Sequence, residues 1–230
     1  MSLADYKLLV IAAVRDRDSV LSASDIQAAI DAAVQQYSLD APRIVVVDQQ
    51  ANGSQRLALP AGWVEDASVL VSLEYPVDQF PPAELPTDQV RIYASPTQRQ
   101  LLFPVDITPT DGELVRIGYS APHTVTDDID TIRVSHRVPV ASLAASTLCG
   151  QLASYYASDS EPTIQADTVN RGDASSRWRA RARDLAAAYS AVVGSTKSDR
   201  QRGASVTVEA ARRDSLGGRR LFHPPGSWPR

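Results

Sequence analysis

The sequence predicts an α+β protein. A four-helix bundle core carries an inserted antiparallel β-sandwich or small barrel, and an extended C-terminal tail follows. Three observations lead there. Apolar residues recur with helical spacing in residues 1–41, switch to strand alternation in 42–122, and return to helical spacing in 123–194. Two helical ends around a β block are most simply the halves of one core, because none of the four apolar stripes could hold its helix in water alone. Residues 195–230 are polar and glycine-rich yet end in large apolar and basic side chains, the composition of a tail that becomes ordered on another surface.

The first helix is expected over residues 4–15, with Leu8, Ile11, Ala12 and Arg15 on helical spacing. The second starts near Ser24, where Ser24-Asp25-Ile26-Gln27 matches a capping box, and places Ile26, Ile30, Ala33, Val34 and Tyr37 on one face. It stops before Pro42, which pushes Ala41 out of helical geometry. Arg43–Asp48 is then a β-branched run, with Asn52-Gly53 as a tight turn and Gln55–Leu59 as its expected hairpin partner. Val69, Val71, Leu73 and Tyr75 alternate with Ser72 and Glu74, as in a strand with one wet face. The run Pro76–Pro86 is too rich in proline for a central strand. Val90–Ala94 and Arg99–Phe103 form a second hairpin, and Val115–Tyr119 the last strand. Six strands with turns between them point to a sandwich or small barrel.

Helical spacing resumes at Pro139, with Leu143, Ala144, Leu148, Leu152, Tyr155 and Tyr156 in a stripe. After the loop around Pro162 and Ile164–Val169, a last helix is expected from Ser175 to Val193. It presents Trp178, Ala182, Leu185, Tyr189 and Val192, and Gly194 is its C-terminal stop.

The net charge of −4 conceals a gradient: residues 1–170 carry −12, residues 171–193 carry +3, and residues 194–230 carry +5. An acidic body argues against broad nucleic-acid binding there, while the basic tail suits an acidic protein surface. The single cysteine, Cys149, lies in an apolar helical stripe and reads as a buried thiol. No run reaches the length of a membrane span, and the start lacks the pattern of a secretory signal.

Little in the chain resembles catalytic or metal chemistry. His123, His136 and His223 share no ligand spacing, and His136 reads as a hydrogen-bonding residue at a helix entrance. Asp127-Asp128-Ile129-Asp130 lacks the glycine and distal glutamate of a calcium loop and reads as an exposed acidic turn. No G-x-S-x-G elbow or glycine-rich phosphate loop occurs, Gly217-Gly218 reads as a hinge, and Asp173 in Arg171-Gly172-Asp173 reads as a helix cap. No catalytic, cofactor or metal residue is assigned, and the chain reads as a non-enzyme.

Two sets of residues point to partners. Arg177, Arg179, Arg181 and Arg183 flank the last apolar stripe, and their planar guanidinium groups suit pairing with the acidic body of a neighbouring subunit. In the tail, Ser205-Val206-Thr207-Val208-Glu209 is a β-prone segment able to add to a partner's sheet edge. Leu221, Phe222 and Trp228 are candidate anchors, with Arg212, Arg213, Arg219 and Arg220 fixing register.

The chain also resembles the head–tail adaptor (connector, or neck) proteins of tailed bacteriophages. The resemblance spans residues 1–193 in architecture and is best over 130–193. It rests on Leu59-Pro60, Val71–Pro76, Val115–Tyr119, Ile132 with His136, Leu143–Tyr156, Ile164–Val169 and Arg177–Tyr189. It implies a ring of identical subunits, usually a dodecamer, below the portal protein, with the tail docking on that portal and a tail-side neck or tail protein beneath. DNA would pass through the channel without specific binding, and the protein would reside at the head–tail junction of the virion after assembly in the host cytoplasm. A tail-completion or baseplate component and a DNA-binding protein using its basic tail are the alternatives.

Overall fold

Helices α1 (Leu3–Val14) and α2 (Ala23–Asp40) each begin at a serine whose side chain accepts the backbone N–H three residues on, while an aspartate there returns the bond. The pairs are Ser2/Asp5 and Ser22/Asp25, so the capping box of α2 lies two residues ahead of the Ser24 start expected from sequence. Arg15 ends α1 in a left-handed conformation, and α2 stops at Asp40, before Pro42.

The computed structural model describes residues 1–96, 98–158 and 171–202, with side chains of the final helix over 174–194. Six strands follow α2: β1 (Arg43–Gln50), β2 (Arg56–Ala58), β3 (Leu70–Glu74), β4 (Arg91–Ala94), β5 (Arg99–Leu102) and β6 (Leu114–Ala121). A short 3₁₀ turn at Val134–His136 leads into α3 (Arg137–Ser158), and α4 spans Arg171–Arg202. The protein is α+β, with four α-helices and two three-stranded antiparallel sheets among the described residues.

The helices alternate in direction, as their contacts show. The Tyr37 hydroxyl near the end of α2 lies 2.9 Å from His136 Nδ1 at the start of α3, while Ile26 near the start of α2 shares a cleft with Leu148. Ser175 Oγ near the start of α4 donates to Ala153 O at 2.8 Å, and Tyr189 further on donates to Asp40 at 2.8 Å. One apolar core joins all four helices through Tyr6, Val10, Val14, Ile30, Tyr37, Val140, Leu148, Leu152, Tyr189 and Val193.

The sheets run β1–β6–β3 and β2–β5–β4, and both feed a second core containing Leu57, Leu73, Leu101, Phe103, Val115, Ile117 and Tyr119. The β4–β5 hairpin forms as the sequence predicts. The β1–β2 hairpin does not: β1 pairs along its whole length with β6, from Arg43↔Ala121 to Gln50↔Leu114, and β2 pairs with β5. A three-residue β2 cannot cover eight residues of β1. By contrast β6 matches it in length, facing Val45 and Val47 with Tyr119 and Ile117, and Asp48 with Arg116. The expected alternation through Val69–Tyr75 is also broken. A bulge between Leu70 and Ser72 leaves Val69 and Val71 exposed while Leu73 is buried.

Helix α4 runs through Gly194 rather than stopping there, and it begins at Arg171, two residues ahead of the Asp173 cap expected from sequence. Gly194 has no positive φ, so it is an interior glycine, tolerated at a cost of about 1 kcal/mol.

Candidate assembly surfaces

The stripe that the sequence offered as the inner face of α1 points outward. Tyr6, Val10 and Val14 enter the core, whereas Leu8 is 66% and Ile11 51% exposed, with Ala4, Ala12 and Arg15 beside them. Lys7 and the capping Asp5 are the charges within the helix, which is therefore apolar on both sides. A helix apolar all round is normally covered all round. Next to Ile11 opens a cleft of about 190 Å³ lined by Val10, Val14, Leu21, Ile26 and Leu148, with Asp16 and Ser19 at the same site.

Helix α4 has 32 residues, about 48 Å. Over 174–194 it buries only Ser175, Tyr189 and Val193, with Trp178, Ala182 and Leu185 partly covered. Val193 takes the buried place expected of Val192, which is 36% exposed. Arg177, Arg179, Arg181 and Arg183 are all exposed. Arg181 is nevertheless engaged within its own chain: its Nε donates at 3.0 Å to Ala13 O, as does Nη2, satisfying an orphan carbonyl at the end of α1. Arg183 Nε reaches only its own helix, at Arg179 O. The arginines thus divide between a helix-capping role for Arg181 and an outward face for Arg179 and Arg183. The tail residues Arg212, Arg213, Arg219, Arg220, Leu221, Phe222 and Trp228 lie outside the described residues, as does Ser205–Glu209.

The outer face of the sheet β1–β6–β3 is half apolar and half charged. Ile44 and Val46 are 56% and 57% exposed. Farther along, Arg116 pairs bidentately with Asp48 at 2.8 and 3.0 Å, and its Nη1 lies 3.4 Å from Glu74 and 3.1 Å from Asp78. The hydrogen bonds from Arg116 hold the Asp48 carboxyl below the usual carboxylate range. This cluster is not legible in the sequence, because its members are brought together only by the β1–β6–β3 register.

Three titratable groups are structural. Cys149 is buried, and burial pushes its thiol up to about 11, so it is chemically quiet. His136 is buried against Tyr37, as expected of an entrance residue. His123 is buried where the chain leaves and re-enters the helical part: Nε2 lies 2.9 Å from Ala41 O, and Nδ1 3.0 Å from Thr131 O and 3.1 Å from Thr131 Oγ1. Both ring nitrogens thus face carbonyl oxygens, contacts that favour the charged ring, but burial outweighs them and lowers its pKa.

The acidic turn is a correction. Asp127 and Asp128 are exposed, but the Asp130 side chain is 4% exposed and sits 2.7 Å from Arg137 Nε, an ion pair with off-line hydrogen-bond geometry. Its other oxygen accepts Ile132 N–H at 2.9 Å. No group of three or more His, Cys, Asp or Glu poised for a metal occurs among the described residues. No helix among them is long and apolar enough to cross a membrane.

No known family profile matches the sequence. No curated protein matches it either. Among solved structures, a chain from the virion of a native gene transfer agent particle aligns at 15% identity, covering 78% of this chain and 89% of that one, with a TM-score of 0.26. A chain from the neck of an empty gene transfer agent particle with C6 symmetry aligns at 16% identity, covering 69% and 79%, with a TM-score of 0.25. A chain from the neck of the native particle with C12 symmetry aligns at 17% identity, covering 78% and 92%, with a TM-score of 0.25.

Proposed function

We propose that this chain is a structural neck protein of a tailed-phage-like particle: a head–tail adaptor that forms a ring below the portal, docks to it through the C-terminal tail, and catalyses nothing. The supporting observation is α4. A helix of 32 residues that buries three side chains over 174–194 and turns Arg179 and Arg183 outward leaves most of its surface over 174–194 for another chain. The acidic body supplies the opposite charge, and a head-to-tail ring requires two different complementary faces on each subunit. Arg181, occupied at the end of α1, drops out of that interface. The four helices act as one bundle, and the two sheets pack as a sandwich inserted between its halves.

Because α4 continues to Arg202, the informative truncation removes residues 203–230 rather than 195–230. The truncated chain should keep the far-ultraviolet circular dichroism and melting temperature of the body while losing co-sedimentation with portal rings. Phe222→Ala with Trp228→Ala should weaken docking more than added salt does. Undiminished docking by the truncated chain contradicts the tail assignment, and tight binding of the intact chain to duplex DNA at physiological salt would favour nucleic acid as the tail's target.

A further inference from the structure

The two edges of the sheet β1–β6–β3 differ. Alongside β3 the edge is closed, since Tyr75 N–H donates to Ala83 O at 3.0 Å and Leu85 N–H to Leu73 O at 2.7 Å. Alongside β1 it is open: apart from the ladder with β6, Arg43–Gln50 makes no backbone hydrogen bond among the described residues. This edge is eight residues long, contains four consecutive β-branched residues (Ile44–Val47), and has neither a proline nor a register shift. Proteins normally blunt such an edge with charge, proline, a bulge or a covering loop, because it is a template for another strand. Beside it lies a groove of about 480 Å³ bounded by Val47, Asp48 and Gln49 from β1, by Leu59–Gly62, and by Tyr119.

We propose that the free edge of β1 accepts an added strand, and that the strand is Ser205–Glu209 of a neighbouring copy of this chain. The inference rests on the ring reading above, which supplies the neighbour. Ser205–Glu209 alternates Val206 and Val208 with Ser205, Thr207 and Glu209, so one of its faces is apolar like that of Ile44 and Val46. It follows Arg202, the end of α4, by only a few residues, and 28 residues of chain lie beyond that helix. Upstream, α4 passes the α2–β1 junction, where Tyr189 meets Asp40 three residues ahead of Arg43. The +5 charge of residues 194–230 against the −12 of residues 1–170 favours contact with an acidic body. In this mode main-chain bonds supply the affinity, and alternate side chains the register. The ring raises the effective concentration of a segment too short to bind by itself.

The test uses the full chain with Val46→Cys combined in turn with Val206→Cys, Thr207→Cys or Val208→Cys; the native Cys149 is buried and stays. Strand partners place their Cβ atoms within disulfide reach, so at least one pair should oxidise into a ladder of covalent dimers and larger species. Thr207→Pro should abolish that ladder, and should reduce hydrogen-exchange protection of the β1 amides about tenfold. Disulfides closed only within single chains overturn the assignment to a neighbour. Rings that form by native mass spectrometry yet give no cross-link overturn the added strand and leave the ring standing. Chains that stay monomeric at high concentration overturn both.

Discussion

His123 ties the two crossings between the helical and β parts, with Ala41 on one side and Thr131 on the other. Burial holds its pKa below the ordinary 6.5, so the unfolded chain takes up a proton at a higher pH than the folded chain does. Stability from this group is therefore complete above the ordinary value and declines as pH falls below it. The urea midpoint should drop between pH 7 and pH 5, and His123→Gln should flatten that dependence; an unchanged slope would place the titration elsewhere. Gly62 is a steric case. A Cβ there would lie 2.5 Å from the hydroxyl of Tyr119, a buried ring packed 5.6 Å from Trp63. Gly62→Ala should cost about 1–3 kcal/mol in chemical denaturation. Adding Tyr119→Phe should restore much of it, because the next ring atom is 3.7 Å away.

At the scale of elements, α1 shows what periodicity can and cannot convey. Its existence was legible, but the choice between Tyr6/Val10/Val14 and Leu8/Ile11 as the inner face was not, because both stripes are apolar. Two good faces carry no sign of which lies inside; α3 settles it. If the outer stripe contacts a second copy, Leu8→Glu with Ile11→Glu should dissociate rings in sedimentation while changing monomer stability by less than about 0.5 kcal/mol. Loss of folding instead would show the stripe to be internal. The β1–β6 pairing was illegible for a related reason. Asn52-Gly53 does form a turn, with Gly53 at φ 70°, yet Ala51 bonds across to Glu113 and Gly112 rather than leading β2 back onto β1. Local turn chemistry names a bend and leaves the partner to matching length, facing side chains and charge over some seventy residues of separation.

For the whole molecule, the order helix–helix, β block, helix–helix was readable because each switch of period is long and bounded by Pro42 or the helical run of α3. The candidate surfaces were readable only as composition. The arginines of α4 stood out in the sequence, but that Arg181 caps α1 depends on a contact between residues 168 apart. The Arg116 cluster and the open β1 edge likewise exist only once three distant strands are in register. The charge gradient, by contrast, is a property of the chain itself, and it orients the acidic body and basic tail of any assembly in advance of contact.

The closeness of Ala41 and His123 gives the strand-bearing segment adjacent ends, like a cassette plugged into a socket. Such a graft can be lengthened, exchanged or reshaped without moving the helices that receive it. Its strands could therefore vary between related chains with little change to the helices on either side.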